Sequence, residues 1–476
     1  MLIESVVCLR GMVKTILCVF LCMCCSMVAA QETIKCEEDS LLREIDLPLL
    51  EIWTVAGELP TGENVVAPSG LWGIALVNNE YVYGRMQISR RGDVLYDSGA
   101  EGMKIRLRGN SSSTDVRKPY KIKLDKKADL MFRDDAKYID KDWVLLPMSH
   151  NHTARVFTGV KIGELVGLEW KPECEYINVV LNGVYWGDYL LFESVEREKG
   201  RVNIDKTGFL IEDDAYWWSE DVYFKGNLLL NQVGFTFKYP ETEDLNDSII
   251  SNIKNFILDY ESALVNGEDV TNYIDLQNWA AWLLAQDLLG QKDAAGTNRY
   301  IYKQDFDVEN PFSSQLKMGP LWDFDGSLHY VDEWALIHNG GYGFYFAELL
   351  KREDFNMCYL QLWERIKDGL YDELISYYDD LSEKKGEGIT KSRALYCSVY
   401  KDQKPSTMDE EMNFAKTWMK NRIEWIDGQL TKTSIEELSA LDMPSAVYNI
   451  YGRKIGGRER LERGIYIIDG RKVLVK

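Results

Sequence analysis

A chain of 476 residues with 46% hydrophobic and 28% charged side chains is long enough for two to four domains or one large two-lobed enzyme, and too apolar to be disordered. Its 76 acidic against 55 basic residues leave a formal net charge of −21. That excess excludes non-specific attraction to nucleic acid or to an anionic membrane surface, and any polyphosphate ligand has to be met by a local basic cluster or by metal ions.

The first thirty residues carry Arg10 and Lys14, an apolar run from Thr15 to Val28, and Ala29-Ala30 before polar Gln31-Glu32. This order predicts an export signal (1–30) cut near Ala30, with Met12 an alternative start, and the run is too short for a membrane span. Five of the nine cysteines lie in it, and the remaining Cys36, Cys174, Cys358 and Cys397 form no CxxC pair, which argues against zinc and leaves at most two bridges. From Leu47 to Asp97 short apolar runs broken by Gly, Pro and Asn predict a β-rich opening segment, 31–100.

Residues 101–240 read as a β-rich unit. Met103, Ile105 and Leu107 alternate with Lys104, Arg106 and Arg108, and after a loop of Gly109, Asn110, Ser111, Ser112 and Ser113 a second strand alternates Tyr120, Ile122 and Leu124 with Lys121, Lys123 and Asp125. Open backbone N–H groups, hydroxyls and strand ammonium groups are the parts of a phosphate cradle, which makes Arg108, Asn110, Ser111, Lys121 and Lys123 candidate ligands; a plain hairpin with solvated lysines fits the same pattern. Asp142 to Pro147 predicts a buried strand, Ala154 to Gly167 a helix, and Asn182-Gly183 a two-residue hairpin turn. Glu193 closes the apolar strand after that turn and must reach solvent or a cation. Arg201 to Phe237 continues as strands with adjacent Trp217 and Trp218, either core residues or a stacking surface.

From Asp244 the periodicity becomes helical, and 241–432 reads as a mainly helical unit. One helix, LQNWAAWLLAQDLLGQ, ends directly before Asp293. Asn298 to Lys303 predicts a strand, Asp305 to Lys317 a surface loop, and Met318 to Phe324 a second strand. At least three helices follow Tyr345, two of them separated by a charged link, SEKKGEG, and a small β tail occupies 445–476 with Asp469-Gly470 as its turn.

The stretch GPLWDFDGSLHY, from Gly319 to Tyr330, holds the densest chemistry. If it is extended, Asp323 and Asp325 fall on one face, roughly 7 Å apart, able to share one divalent ion or hold two, and Gly326 lets the backbone turn away. Alone, such a motif is more often a turn or a calcium loop. Upstream, Asp293 precedes Asn298 by a gap of four residues, and an Asp, an Asn and a later Asp beside Phe and Gly follow the order of base, metal and metal in protein-kinase sites. The chain has no GxSxG, HExxH or GxxxxGK[ST], and His150, His152, His329 and His338 lack metal-ligand spacing.

RGNSSSTDVRKPYKIKLDKKADL, KDWVLLP, the Arg155 helix, LNGVYWGDYLLFESVE, GRVNI, GFLIEDD, FTFKYP and GPLWDFDG, in that order, resemble the CotH family of atypical protein kinases over roughly Leu47 to Leu430. The resemblance implies an α+β, kinase-like two-lobed core with a β-rich N-terminal lobe and a mainly helical C-terminal lobe. It also implies ATP with Mg2+ or Mn2+, and phosphoryl transfer to Ser or Thr of a protein substrate. Carried over by residue, Lys123 resembles the nucleotide-phosphate lysine with Glu193 as its partner, Asp293 the catalytic Asp, and Asn298, Asp323 and Asp325 the metal ligands. The chain departs from the family pattern at Gln286-Asp287-Leu288 and Gln291, and where His150, Asn151 and His152 replace an acidic residue before Arg155. Its tail resembles type IX secretion sorting tails, so the expected product is exported, at the cell surface, in the periplasm or secreted, with no nucleic-acid partner and no membrane span in the mature chain. Two other readings stay open: a surface protein with a vestigial kinase core that binds a glycan or protein, and a secreted glycoside hydrolase using paired carboxylates.

Overall fold

The computed structural model describes residues 36–100, 102–148, 153–228, 233–291, 294, 298–329, 345–400 and 406–439, together with four tail strands between 447 and 475. The expected export signal and Asp293 lie outside the described residues. After helix α1 (Cys36–Glu44), ten strands follow: β1 (Leu49–Thr54), β2 (Glu63–Val66), β3 (Ile74–Val77), β4 (Val82–Arg90), β5 (Asp93–Asp97), β6 (Met103–Leu107), β7 (Tyr120–Ala128), β8 (Asp140–Pro147), β9 (Cys174–Leu181) and β10 (Val184–Glu193).

Seven of these strands close on themselves in the order β1-β9-β10-β8-β7-β6-β4, and β4 returns to β1. This closed barrel overturns the expected two-lobed kinase layout, although the chain is α+β. Closure depends on β1, which runs parallel to β9 (Leu49 opposite Asn178) on one side and antiparallel to β4 (Leu49 opposite Ser89) on the other, so the seven-stranded ring has no free edge. The β1–β9 pairing joins residues more than a hundred positions apart, and local alternation carries no trace of it. The expected boundary at residue 100 therefore falls inside one sheet.

The alternation read from sequence fills the barrel: Met103, Ile105, Leu107, Tyr120, Ile122 and Leu124 point inward with Leu50, Ile88, Trp143 and Tyr189. On the outer face of β8, β9 and β10 a second apolar row, including Val144, Tyr176, Leu190 and Phe192, packs against the helices. Strands buried on both faces read as continuous apolar runs, which is the pattern of YLLF in β10. The turn between β9 and β10 has Asn182 and Gly183 both at positive φ, as the Asn-Gly signal requires.

A second sheet holds β11 (Phe209–Asp214), β12 (Tyr223–Phe224), β13 (Gly234–Tyr239), β14 (Arg299–Lys303) and β15 (Leu316–Met318) in the order β12-β13-β11-β14-β15. It is braced by α2 (Thr153–Leu165), α3 (Asp247–Val265), α4 (Leu276–Leu289), α5 (Phe346–Leu349), α6 (Glu353–Tyr400) and α7 (Met408–Ser439). Helix α4 is buried on nearly every side, as its apolar sequence demands; Asp275 caps its start by accepting from the Gln277 and Asn278 amides, and left-handed Gly290 ends it.

The expected break at SEKKGEG is absent, because α6 runs unbroken for 48 residues. Lys384 pairs with Asp380 and Lys391 with Glu387 one turn apart, Lys385 reaches Glu175 of β9 at 2.6 Å, and Gly388 admits Leu47 so closely that a Cβ would lie 2.9 Å from its Cγ. Helix-stabilising ion pairs and a packing glycine explain a segment that composition alone presents as a link. The tail strands β16 (Val447–Asn449), β17 (Lys454–Gly456), β18 (Gly464–Ile468) and β19 (Arg471–Val475) form an antiparallel sheet. Among the described residues no helix is long and apolar enough to cross a membrane.

Candidate active site

A cleft of about 1220 Å³ opens between the outer face of the barrel and the second sheet. Its barrel wall is set by strand register. Arg106 of β6 lies opposite Lys121 of β7, Lys121 opposite Val144 of β8, and Phe192 of β10 opposite Val144, so one row of outward side chains crosses four strands. Arg108, Leu146 and Leu190 line the same wall, and Glu212, Asp214, Lys238 and Tyr300 face them from β11, β13 and β14.

Lys121, and not Lys123, lines the cleft. Both residues face outward, but Lys123 stands one pleat further along the strand, where its ammonium is 3.6 Å from Asp142. Lys121 lies 3.0 Å from Asp142 and 3.7 Å from Glu196; burial works against its charge, and the two carboxylates outweigh burial and hold the ammonium above its ordinary pKa. Glu193 is not paired with Lys123: it accepts from the Arg133 guanidinium at 2.8 Å and from the Glu173 amide at 3.0 Å. A Glu at the end of β10 is thus committed to a structural cation, and Glu196, three residues on, meets the lysine instead.

Asp140, Asp142 and Glu196 bring three carboxylates close enough to share a cation. Lys121, Lys123 and Arg201 already occupy that role: Arg201 is 3.2 Å from Asp140 and 2.6 Å from Glu196. Three acids against three bases make a balanced ion network that needs no metal. Burial pushes the Glu196 carboxyl up, against the pull of Lys121.

The floor of the cleft is the turn bearing Asp323 and Asp325. It is not the expected strand, because β15 stops at Met318, Asp323 adopts φ 57, and residues 324–326 form a single 3-10 turn. Both carboxylates nevertheless line the cleft on exposed residues, with Phe324 buried between them. Helix α2 fixes the turn from below: Arg155 donates to the Asp325 carbonyl at 2.7 Å, and Gly159 lies where a Cβ would stand 2.0 Å from the Phe324 ring.

Asn298 and Gln291 converge on Asp323. The Asn298 amide donates to the Asp323 carboxylate at 2.9 Å, and the Gln291 amide donates to the Asp323 carbonyl at 2.6 Å. The two residues bracket the segment that contains Asp293. Asn298 at φ 60 and Asp323 at φ 57 place two non-glycine residues in the left-handed region side by side, a local strain that functional sites retain. Two carboxylates and an amide oxygen are the hard donors that magnesium or manganese takes, so this set fits such an ion.

The cradle loop is already engaged by protein. Ser111 shares a 3.0 Å hydrogen bond with the Tyr216 hydroxyl across the cleft, Asn110 accepts from the Leu76 amide at 3.4 Å, and Ser113 donates to Asn64 at 2.6 Å. The β2–β3 hairpin therefore braces the loop, and Asn110 and Ser111 still line the cleft. Arg108 is half-buried beside them, 5.6 Å from the Trp322 ring; desolvation lowers its pKa, opposed by the charges of Tyr300, Asp323 and Glu212.

Sequence reading missed Glu212, Asp214 and Lys238. Lys238 is 2.9 Å from Glu212; burial disfavours its charge, but Glu212 and Asp214 prevail and raise its pKa. The clue available was the run IEDD at the end of an apolar strand, where alternation sends Glu212 and Asp214 to one face.

The family model for CotH kinase protein matches residues 105–426, more than half of the chain. No curated protein matches it.

Proposed function

Because the chain belongs to the CotH kinase protein family, we propose that it is an exported protein kinase that transfers the γ-phosphate of ATP to a serine or threonine hydroxyl of a protein substrate. The observation that carries this reading is the convergence on Asp323: Gln291 and Asn298 tie both ends of the Asp293 segment to it, while Lys121 and Arg108 face the same cleft from the barrel. Lys121 is assigned to the nucleotide phosphates, with Glu196 and Asp142 orienting its ammonium, and Arg108 adds a second positive charge.

Asp323, Asp325 and Asn298 are the residues that would hold magnesium or manganese, whose contribution there is to offset charge on the transferring phosphoryl group. Asp293 orients the acceptor hydroxyl and takes its proton as the new O–P bond forms, and the bond to the β–γ bridging oxygen breaks to release ADP. Positioning and electrostatics account for most of the work in such a transfer, and the cleft supplies both. Export is supported by the residue 1–30 pattern and by the tail's resemblance to sorting tails.

The test is incubation of purified protein with labelled ATP, Mg2+ or Mn2+ and casein, beside Asp293→Ala and Asp323→Ala. Label transfer by the parent alone, with a nucleotide-induced thermal shift, is the expected result. No transfer and no shift would replace this reading with that of a surface binding protein.

A further inference from the structure

The ion network beside the cleft leaves two bases over. Lys104 faces Lys123 across the β6–β7 pair and Arg106 faces Lys121, so four cations stand in a block of directly opposed positions on the outer barrel face. Like charges placed opposite one another destabilise a sheet unless something compensates them. Asp140, Asp142 and Glu196 balance Lys121, Lys123 and Arg201, but neither Lys104 nor Arg106 has a carboxylate partner among the described residues.

Aromatic rings hold them instead. The Lys104 ammonium sits 4.5 Å from the Tyr81 ring centroid and 6.0 Å from that of Tyr83, and the Arg106 guanidinium sits 4.8 Å from that of Tyr81. A π face orients a cation without cancelling its charge. The Arg106 Nε is buried and has no hydrogen-bond partner, a donor whose desolvation nothing in the protein offsets. In a chain of net charge −21, two cations without a carboxylate partner, one of them, Arg106, on the cleft wall, invite an anion.

We propose that Lys104 and Arg106, presented by Tyr81 and Tyr83, form an oxyanion subsite for a phosphate monoester at the edge of the cleft, where Arg106 lines the wall between the strand positions of Lys104 and Arg108. Its occupant is a phosphoryl group already carried by the acceptor protein, so that a chain phosphorylated once is held for the next transfer. The subsite rests on geometry outside the catalytic floor; only the identity of its occupant rests on the proposed kinase reading. Lys104 and Arg106 stand two residues apart on one face of β6, roughly 7 Å along the strand, and both cationic heads lie against the Tyr81 ring, so an ammonium and a guanidinium can close on the tetrahedral oxygens of such a group.

The experiment titrates the full chain with capped O-phosphoserine, capped serine and inorganic phosphate, each with and without saturating Mn2+ and a non-hydrolysable ATP analogue. Capped O-phosphoserine should bind and capped serine should not. Lys104→Ala and Tyr81→Leu should each weaken phosphoserine binding by about tenfold, Lys104→Arg should restore it, and affinity for the ATP analogue should change by less than about twofold. Equal affinity for inorganic phosphate would support the subsite and assign it to the free ion. Phosphoserine binding untouched by Lys104→Ala, or lost in step with the ATP analogue, would overturn the proposal. Failure of the analogue to bind while phosphoserine binds would sink the kinase reading and leave the subsite standing.

Discussion

On helix α2, Gly159 and Gly163 lie one turn apart and are both buried, yet their surroundings differ in a way that isolates the carboxylate turn. A Cβ on Gly159 would stand 2.0 Å from Phe324 Cδ1 and 2.2 Å from Cε1, while one on Gly163 would meet nothing closer than 3.5 Å. Alanine improves helix propensity at either position by about 1 kcal/mol. At Gly159 that gain is opposed by overpacking of about 1–3 kcal/mol, because the ring would have to retreat to a contact near 4 Å. Phe324 is only 3% exposed and is flanked directly by Asp323 and Asp325, so its movement carries both carboxylates with it.

Gly159→Ala is therefore expected to lose up to about 2 kcal/mol in denaturant melts and to weaken Mn2+ binding by at least about tenfold. Gly163→Ala should be neutral or stabilising, with Mn2+ affinity unchanged. Calorimetric Mn2+ titration of the two variants beside the parent separates the cases. Equal Mn2+ affinity in parent and Gly159→Ala, or an equal loss in Gly163→Ala, would refute the reasoning.

Lys121→Ala should abolish nucleotide-induced stabilisation and lower transfer by about a hundredfold, whereas Lys123→Ala should leave both within about threefold; thermal shifts and initial rates on the two variants check the assignment. Helix α7 holds the end of α4 and the segment that follows the carboxylate turn: Arg422 donates twice to the Asp287 carbonyl, at 2.8 and 2.6 Å, and Trp418 donates to the His329 carbonyl at 2.9 Å. Arg422→Lys should lower kcat by about tenfold with the KM for ATP little changed, read in steady-state kinetics. Lys303, fully buried on β14 with its ammonium donating to Ser314, is pushed down to about 8 by burial, against the pull of Asp305. Its unfolded form binds the proton more tightly, so stability should rise as pH increases from about 8 toward 10.5, by at most about 3 kcal/mol, and Lys303→Met should remove that slope in pH-dependent melts.

Much of the barrel wall was legible because its strands alternate: Lys121 and Lys123 share a face, and Tyr120, Ile122 and Leu124 fill the interior. The choice between the two lysines was not, since it depends on where the second sheet meets the barrel, a contact between distant parts of the chain. Glu193 and Glu196 illustrate the same limit. Each ends or follows an apolar strand, and only the positions of Arg133 and Arg201 decide which acid is left for Lys121. The Asp323 turn shows the converse, in that residue type and spacing pointed to a donor pair while the extended geometry did not hold. Ring closure through β1 and β9 left no local signal at all, and glycines within α6 imitated a linker while serving close packing.

The most direct test is a crystal soaked with Mn2+ and a non-hydrolysable ATP analogue, viewed by anomalous scattering at the manganese edge. Manganese coordinated by oxygens of Asp323 and Asp325, with the Lys121 ammonium on the analogue's phosphates, is the expected result. Manganese elsewhere, or a nucleotide bound away from Lys121, would contradict the assignment.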